Sequence, residues 1–409
     1  MNEPPGSRPI RVLAVDHTAG VAPFRRKFAA LAVRPGVELT VFAPNRWIEN
    51  YTEILLNAPT PIQTDGYSLQ TGAVVWPGYE NRGFFLTGLS SAIRRVRPDI
   101  LHLWEEPFSL IALQALWFRR RHAPLAKAIF FSSDNLSRDF HYAYRPSWFY
   151  ARVERYAHRQ CAAATAVSQE VEAVLRAKGY RGPIEVIPHG LDLADYPERH
   201  DDDGKAASCY GLVPPVIGYL GRLTEQKGVD TLIRAFAVLP VPEGAGPPTL
   251  VIVGDGPTKA SLVALVSSLG LEARVRFLPS VSHGDVPNVL RAMDVLVLPS
   301  RTTPQLREQF GRVLIEAMAS GCFVVGSSSG AIPDVLGDGG LVFPENDAGA
   351  LASALARALY DADLRAKLRA KGFDRVRRLY TWDAIAERVV GLYRSVLDSP
   401  DPSGIIVSA

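Results

Sequence analysis

The chain has 409 residues, of which 47% are hydrophobic, and its formal net charge is +3. This small charge excludes a protein that binds nucleic acid through a large basic surface, and three scattered cysteines without a Cys-x-x-Cys pair exclude a disulfide framework and a structural zinc site. Because we find no secretory signal and no apolar run approaching the ~20 residues of a membrane span, we expect a soluble, cytoplasmic protein of two domains.

The positive charge is concentrated in the first half of the chain. Residues 1–200 hold 24 Lys/Arg and 19 Asp/Glu, a net charge of +5, whereas the rest of the chain holds 21 and 23, a net charge of −2. A basic first half is compatible with peripheral contact with anionic lipid or with a phosphorylated partner. Ordinary solvated helix faces explain the same distribution, so membrane association is left open.

The first 200 residues alternate apolar strands with helices. Strands are predicted over Ile10 to Val15 and Val37 to Phe42, with an amphipathic helix between them. Residues 43–83, rich in Pro, Thr and Asn, are predicted to be less regular and to include loops on the acceptor side, and Phe84 to Val96 is predicted to be a helix. This order predicts a parallel, doubly wound sheet, in which ligands bind beyond the carboxyl ends of the strands. Gly20, in the turn after the first strand, lies at that edge.

Two later strands bring polar side chains to the same edge of the sheet. They are predicted over Asp99 to Leu103 and over Ile129 to Ser133. The candidate ligand residues at their ends are Trp104, Glu105, Glu106, Asp134 and Asn135. The carboxylates and the amide suit hydrogen bonds to hydroxyl groups, but Trp104 is explained equally well as a core residue. A cap on the next helix is likewise an open interpretation of Asp134 or Asn135.

A polar, charged run from Arg199 to Ala207 is predicted to link two domains, one over residues 1–200 and the other over residues 210–380. The runs Asp201-Asp202-Asp203 and Asp361-Ala362-Asp363 superficially match an Asp-x-Asp metal motif. Neither run follows a buried strand, so we predict no metal site and no cofactor.

The second domain opens with a predicted strand from Pro215 to Leu220, followed by a loop with glycines and two cations. Gly221 permits a tight turn and the close approach of a ligand. Arg222 can bind phosphate oxygens bidentately, whereas Lys227 acts as a point charge. The alternative is that both cations are simply solvated.

A loop and helix between Pro299 and Gly321 carry two carboxylates, Glu308 and Glu316, with seven residues between them. The helix is predicted from Arg312 to Ser320 and ends at the glycine that follows. Its free N–H groups form an anion site, and Gly311 lets a ligand approach the backbone. Phosphate for the N–H groups and hydroxyls for the carboxylates suit a nucleotide sugar. The alternative is that Glu308 is a solvated loop residue and Glu316 a helix-surface charge.

The segments EQFGRVLIEAMASG and CFVVGSSSGAIPDVLGDGGLVF resemble the donor site of the family 4 retaining glycosyltransferases. That family carries a Glu, seven residues and a second Glu, with Phe-Gly after the first, and the matching residues here are Glu308, Phe310, Gly311 and Glu316. The resemblance extends from about Ile10 to Leu397. It implies an α/β protein of GT-B architecture, with two doubly wound Rossmann-like domains facing across a cleft and a helix at 381–398 packing back on the first.

The resemblance further implies a hexosyltransferase that moves a sugar from a UDP- or GDP-sugar to an acceptor hydroxyl, in glycan, glycolipid or secondary-metabolite biosynthesis. It implies that the first domain binds the acceptor through Trp104, Glu105, Glu106, Asp134 and Asn135. It also implies that the second domain binds the donor and needs no metal ion to do so. The implied catalytic residues are Arg222, Lys227 and Glu308. The implied donor-binding residues are Gly20, Gly221, Arg222, Lys227, Gly254, Leu278, Glu308, Phe310, Gly311, Arg312, Val313 and Glu316.

Two departures from the family keep other functions open. Family members often carry Gly-Gly where this chain has Ala19-Gly20, and a His where it has Trp104. A sugar-nucleotide epimerase or phosphorylase uses the same architecture, and a catalytically silent nucleotide-sugar binder would account for both departures. The acceptor is open among glycan, lipid carrier and small molecule, and we expect no nucleic-acid partner.

Overall fold

The computed structural model describes residues 8–49, 52–56, 61–136, 146–197, 204–304 and 306–399. The chain divides into two compact units. Unit 1 comprises Met1–Val167, Val171–Pro188 and Trp382–Ala409, and unit 2 comprises Ser168–Glu170 and His189–Thr381. The metal-motif match at residues 201–203 and most of the predicted linker lie outside the described residues.

Up to residue 190 the chain forms twelve strands and five α-helices in the described residues. In chain order these are β1 (Ile10–Val15), α1 (Arg26–Ala32), β2 (Val37–Pro44), β3 (Arg46–Glu49), β4 (Thr52–Leu55), β5 (Ile62–Thr64), β6 (Tyr67–Gly72), β7 (Val74–Val75), β8 (Phe84–Phe85), α2 (Leu89–Val96), β9 (Ile100–Leu103), α3 (Leu110–His122), β10 (Lys127–Ser132), α4 (Ser147–Gln160), β11 (Ala163–Ala166), α5 (Gln169–Ala177) and β12 (Ile184–Val186).

Unit 1 is built on an eight-stranded sheet with the order β12-β11-β10-β9-β1-β2-β6-β5. Its pairings are parallel except that of β5 with β6. The strands run outward from β1 in both directions, which confirms the predicted doubly wound arrangement. Because β1, β9 and β10 are neighbours, the residues that follow their carboxyl ends lie along one edge of the sheet.

Residues 43–83, predicted to be less regular and to include loops, also contribute five strands that the sequence analysis did not predict. One of them, β6, joins the main sheet beside β2. Within β6, Tyr67 and Leu69 are buried, while Ser68 between them is half-buried. A short apolar–polar alternation of this kind is a weak sequence signal, and Pro, Thr and Asn in the flanking turns obscured it.

The helix predicted from Phe84 to Val96 is also too long. The first two residues form strand β8, which pairs with β7, and helix α2 begins only at Leu89. Gly88, at the N-cap of α2, has a φ of +88°, a conformation that separates the strand from the helix and that glycine adopts readily.

In the described residues, unit 2 contains six strands and the helices between and around them. They are α6 (Gly204–Cys209), β13 (Val216–Leu220), α7 (Val229–Ala237), β14 (Thr249–Val253), α8 (Lys259–Ser268), β15 (Val275–Leu278), α9 (Val286–Arg291), β16 (Val295–Leu298), α10 (Arg312–Ala319), β17 (Phe323–Ser327), α11 (Ile332–Leu336), β18 (Leu341–Phe343), α12 (Ala348–Tyr360) and α13 (Ala362–Leu379). The sheet order is β15-β14-β13-β16-β17-β18, with every pairing parallel. This is a second doubly wound sheet, as predicted.

The last helix, α14 (Trp382–Asp398), belongs to unit 1 although it follows unit 2 in the chain. Val389 and Tyr393 are fully buried and join the same apolar core as Phe28 of α1. The Tyr393 hydroxyl lies 2.8 Å from Nδ1 of His102, so these two atoms are hydrogen-bonded to each other inside this core. Of the helices in the described part of the chain, none has the length and apolarity that crossing a bilayer requires.

Candidate functional site

In unit 2 the loops after β13 and β16 hold an ion pair between Lys227 and Glu308. The two strands are neighbours in the sheet, so their carboxyl-end loops lie together. Lys227 Nζ donates to Glu308 Oε2 at 2.6 Å, and Ser300 Oγ donates to the same oxygen at 2.8 Å. Both charged side chains are largely shielded from water. The structure therefore brings together two residues that the sequence predicted to act together but that lie 81 positions apart.

Two glycines allow the backbone around this pair to pack closely. A Cβ on Gly228 would lie 2.0 Å from the Pro299 carbonyl oxygen, and one on Gly330 would lie 2.1 Å from the Glu308 carbonyl oxygen. Both glycines have positive φ, +63° and +54°. Any other residue at these positions would push the loops apart. Both glycines are therefore needed for the loop arrangement that brings Lys227 to Glu308.

Helix α10 begins directly after this loop, with Gly311 at its N-cap and a φ of +75°. Among the described residues, no side chain caps its first N–H groups. These groups therefore keep the capacity to bind an anion. A Cβ on Gly311 would lie 2.8 Å from the Leu298 side chain, so packing and backbone conformation require the glycine. That a ligand approaches the backbone at Gly311 stays a prediction.

Glu316 is buried inside unit 2, with only 5% of its surface exposed, and is not a helix-surface charge. Arg312 Nε lies 3.1 Å from its Oε1, and the Tyr196 hydroxyl also hydrogen-bonds to it. Burial raises the pKa of Glu316 above its usual value, while Arg312 and Tyr196 oppose that rise. A carboxylate this deep needs such partners. The sequence analysis missed Tyr196, since no motif connects it to a residue 120 positions later.

The other predicted donor residues of unit 2 surround these two carboxylates or follow neighbouring strands. Phe310 is buried, with its ring edge-on to those of His189 and Tyr380. A Cβ on Gly254 would lie 1.9 Å from the carbonyl oxygen of Gly221, so these two strand-end glycines are in direct contact.

The remaining three donor candidates of unit 2 lie at its surface or partly so. The Leu278 carbonyl, at the end of β15, accepts from Gly254 N at 3.1 Å. Val313, in the first turn of α10, is half-buried. Arg222 is exposed and forms no ion pair with the described residues, which leaves its guanidinium available to a ligand.

In unit 1 the residues after β1 and β9 form a buried polar cluster of two ion pairs. Lys27 Nζ lies 2.6 Å from Asp16 Oδ2. His17 donates its backbone N–H to Glu105 Oε1 at 2.8 Å, and its Nδ1 lies 2.9 Å from Glu105 Oε2. Burial works against a charge on His17, but the Glu105 and Asp16 carboxylates outweigh it and raise the pKa of His17 to about 9. The sequence analysis named Glu105 but not His17 or Lys27.

Three residues of this cluster form the candidate metal-binding group of the described residues. Ligand atoms of Asp16, His17 and Glu105 lie within 4.8 Å of one another. A metal ion there would have to displace the ammonium of Lys27 and remove the proton from His17. The existing pairs therefore account for these carboxylates without a metal. Gly20, at the end of the same turn, is buried, and its carbonyl accepts from Arg25 Nη1 at 3.1 Å.

Trp104 is a member of the apolar core of unit 1. Its ring packs edge-on to Phe28, with centroids 6.0 Å apart, and stacks with Phe131. The ammonium of Lys27 lies 4.3 Å from the centre of the Trp104 ring. These contacts favour the packing interpretation of Trp104 over direct contact with a ligand.

The residues after β10 form a second polar cluster in unit 1. Glu106 Oε1 accepts from the Ser133 backbone N–H at 2.6 Å, and burial together with the nearby Asp134 raises the pKa of Glu106 to about 7. Lys178 Nζ lies 2.5 Å from Asp134 Oδ2 and 3.2 Å from the buried Glu154. One ammonium thus pairs with two carboxylates.

Asn135, the last predicted acceptor residue, is buried beside this cluster. In the described residues the next helix is α4, which begins at Ser147 with Pro146 at its N-cap, so neither Asp134 nor Asn135 caps that helix.

Two family profiles match the chain. One, described as Glycosyltransferase Family 4, matches residues 20–195, and the other, described as Glycosyl transferases group 1, matches residues 212–375. Among curated proteins, D-inositol 3-phosphate glycosyltransferase of Salinispora tropica is 34% identical over 226 residues, which cover 51% of this chain and 45% of that protein. The protein of the same name from Corynebacterium urealyticum is 30% identical over 249 residues, 58% of this chain and 57% of that protein. The chain thus spans about half the length of these curated relatives.

Similar solved structures cover nearly the whole chain. Sucrose-phosphate synthase from Thermosynechococcus elongatus has a TM-score of 0.69 at 22% identity and covers 95% of this chain and 99% of its own. HepE from Anabaena, crystallised with UDP, has a TM-score of 0.70 at 20% identity and covers 94% of this chain and 100% of its own. At these identities the likeness is one of fold.

Proposed function

This chain belongs to glycosyltransferase family 4 and has the GT-B fold of two parallel α/β sheets, and from that premise we propose that it transfers a sugar from a nucleotide-sugar donor to an acceptor hydroxyl with retention of configuration. The observation that carries the proposal is the contact of Lys227 with Glu308 at the edge of the sheet in unit 2. In this pair, Lys227 supplies a cation for a diphosphate, and Glu308, beside it, supplies a carboxylate for sugar hydroxyls.

Glu316 and the start of α10 are proposed to bind the nucleotide. The N–H groups after Gly311 offer hydrogen bonds to a phosphate, favoured by the positive end of the helix dipole. Glu316, held by Arg312 and Tyr196, offers carboxylate oxygens to the two ribose hydroxyls. The ion pair with Arg312 favours the charged form of Glu316, which accepts hydrogen bonds more strongly than the neutral form.

Lys227 and Arg222 are proposed to stabilise the leaving diphosphate. Negative charge grows on the diphosphate as the glycosidic bond breaks, so a fixed cation is worth more in the transition state than in the bound substrate. Glu308 holds the Lys227 ammonium in place before the donor arrives. Arg222, exposed and without an ion pair among the described residues, can turn towards the phosphate.

The acceptor is proposed to be a polyhydroxylated molecule bound by unit 1. Glu105, Glu106, Asp134 and Asn135 supply hydrogen-bonding groups at the carboxyl edge of its sheet, and two buried clusters hold them in position. For the donor, the crystal structures of HepE with UDP and with UDP-glucose make a uridine nucleotide the first candidate, and a guanosine nucleotide is the second.

A thermal-shift panel with UDP, GDP, ADP and CMP tests the donor site. At about 100 times its dissociation constant, a nucleotide that binds the folded protein stabilises it by roughly 2.7 kcal/mol. We expect one nucleotide to raise the melting temperature of the wild type and of Glu272→Ala, a matched control on the exposed surface of unit 2. The same nucleotide should leave the melting temperature of Glu316→Ala unchanged. If no nucleotide shifts the wild type, or if the shift survives in Glu316→Ala, the proposed donor site is wrong.

A further inference from the structure

Helix α3 in unit 1 is apolar on two opposite faces. Its inner face, with Ile111, Ala115 and Leu116, is fully buried. On the outer side, Leu110 and Leu113 are half-buried, and 56% of the Trp117 surface is exposed. A helix at the surface of a soluble protein normally presents polar residues outward, and exposed contiguous apolar surface marks an interaction site.

The outer face of α3 borders a groove of about 490 Å³. The groove is lined by Phe84, Leu110, Leu113, Trp117, Arg120 and Tyr156. Phe84 extends the aromatic surface further, because Trp76, also exposed, packs edge-on to it with ring centroids 6.0 Å apart. The side chains that line this groove are aliphatic, aromatic or positively charged apart from one glutamine.

Helix α4 continues this surface beyond Tyr156. Trp148 lies two turns before Tyr156 on the same helix, and 59% of its surface is exposed. Arg152, one turn after Trp148, places its guanidinium 5.1 Å from the centre of the Trp148 ring. Arg155 and Arg159 follow at the spacing that keeps them on the same outer face, and both are exposed. We call the outer faces of α3 and α4 together the aromatic–arginine surface.

The charge on this surface has one sign. Helices α3 and α4 contain six arginines, Arg119–Arg121, Arg152, Arg155 and Arg159, and a single acidic residue, Glu154. Glu154 is completely buried and pairs with Lys178, so it contributes no charge to the outside. Arg119 is bound by the Ala126 carbonyl, and the other five arginines are exposed. The outer faces of both helices therefore combine positive charge, indole rings and aliphatic side chains, with no carboxylate.

We propose that the aromatic–arginine surface docks on an anionic lipid bilayer. Tryptophan and tyrosine rings prefer the interface between headgroups and acyl chains, and arginines beside them bind lipid phosphates. Each basic residue near an anionic membrane strengthens binding about fivefold. A nucleic acid would engage the arginines but leaves the Leu110–Trp117 stripe in water, so the aliphatic component favours the bilayer. This inference goes beyond the transfer reaction and does not depend on it.

Vesicle co-sedimentation tests this inference with paired variants. Wild type is mixed with phosphatidylcholine vesicles and with vesicles that also contain phosphatidylglycerol. The aromatic variant is Trp117→Ser with Trp148→Ser, and its control is Val263→Ser, an exposed apolar residue of α8 in unit 2. The charge variant is Arg120→Gln with Arg121→Gln, and its control is Arg377→Gln with Arg378→Gln on the exposed side of α13.

We expect the wild type to bind only the anionic vesicles and to release them at high salt. The aromatic variant should bind at least about tenfold more weakly, and the charge variant about 25-fold more weakly, while both controls bind as the wild type does. Unchanged melting temperatures show that the variants are folded. The proposal is overturned if the wild type ignores anionic vesicles, if the patch variants bind them as well as their controls do, or if a fluorescent oligonucleotide binds through the same arginines while vesicles do not.

Discussion

Glu308 receives two hydrogen bonds through a single carboxylate oxygen, from Lys227 and from Ser300. A side chain held in this way loses little conformational freedom when a ligand arrives, so the site is organised before the donor binds. Lys227 is fixed by the same contact, with its ammonium at the edge of the sheet where the diphosphate is proposed to lie. The residue pair thus orders a cation that the reaction needs only when the glycosidic bond breaks.

Replacing Lys227 separates catalysis from binding. We expect Lys227→Ala to lower the turnover number by about 10²–10³, as the loss of one fixed transition-state partner does elsewhere, with a much smaller change in nucleotide affinity. Lys259→Ala, which removes a half-exposed lysine of α8, is the matched control and should have normal turnover. Donor consumption with a panel of acceptors, together with nucleotide titration, gives both quantities. Near-normal turnover in Lys227→Ala would contradict the assigned role.

The same assay separates the proposed reaction from its alternatives. Transfer requires an acceptor, so donor consumption should rise when the right hydroxyl compound is added. An equally fast reaction without any acceptor would instead indicate an epimerase. Nucleotide binding without turnover under every condition would indicate a silent binder.

At the scale of elements, three loops converge on the carboxyl edge of the sheet in unit 2. They follow β13, β16 and β17, and glycines at their contacts let backbone meet backbone. Gly330 is the glycine of this group that contacts Glu308, since its φ is positive and a Cβ would fall within 2.1 Å of the Glu308 carbonyl oxygen. The loop after β17 thereby holds the backbone of Glu308, which carries the carboxylate.

Two glycine substitutions distinguish the effect of backbone strain from the effect of the close contact between Gly330 and Glu308. Gly330 and Gly270 have similar φ values, +54° and +66°, but a Cβ on Gly270 meets nothing within 4 Å. We expect Gly270→Ala to cost about 1 kcal/mol of unfolding free energy from strain alone, and Gly330→Ala to cost more and to impair turnover, because Glu308 must move. Urea denaturation and the transfer assay measure the two effects. Equal stabilities and equal turnover in the two variants would show that the contact with Glu308 does not matter.

At the scale of the whole molecule, the core of unit 1 is assembled from distant parts of the chain. Residues 10–187 supply the sheet and most of its helices. Helix α14, which follows unit 2 in the chain, adds its apolar face to this core. Tyr393 of α14 contacts His102 of β9, although 291 positions separate them. Unit 1 therefore cannot complete its core until the end of the chain is available.

Substitutions on the two sides of α14 test this dependence. Val389 is fully buried in the core of unit 1, whereas Leu397 of the same helix is exposed at its margin. We expect Val389→Ala to lower the free energy of unfolding by about 2 kcal/mol, from lost burial and the cavity left behind, and Leu397→Ala to lower it by less than about 0.5 kcal/mol. Urea denaturation followed by circular dichroism checks both values. A Val389→Ala variant as stable as the wild type would rule out a structural role for this face.

The sequence by itself determined the alternation of strands and helices, and with it two parallel sheets, because apolar runs and their spacing are local properties. It also put forward the two glutamates and the lysine of the proposed donor site, because the short motifs that resemble family 4 are local too. The sequence did not predict strands β3 to β7, because they are short and contain many polar residues, as loops do. Only the tertiary structure decided which polar side chains meet: Lys227 with Glu308, Tyr196 with Glu316, and His17 with Glu105. Such pairs depend on strand order and on burial, which raises the cost of any unpaired charge, and neither is visible in the spacing of residues along the chain.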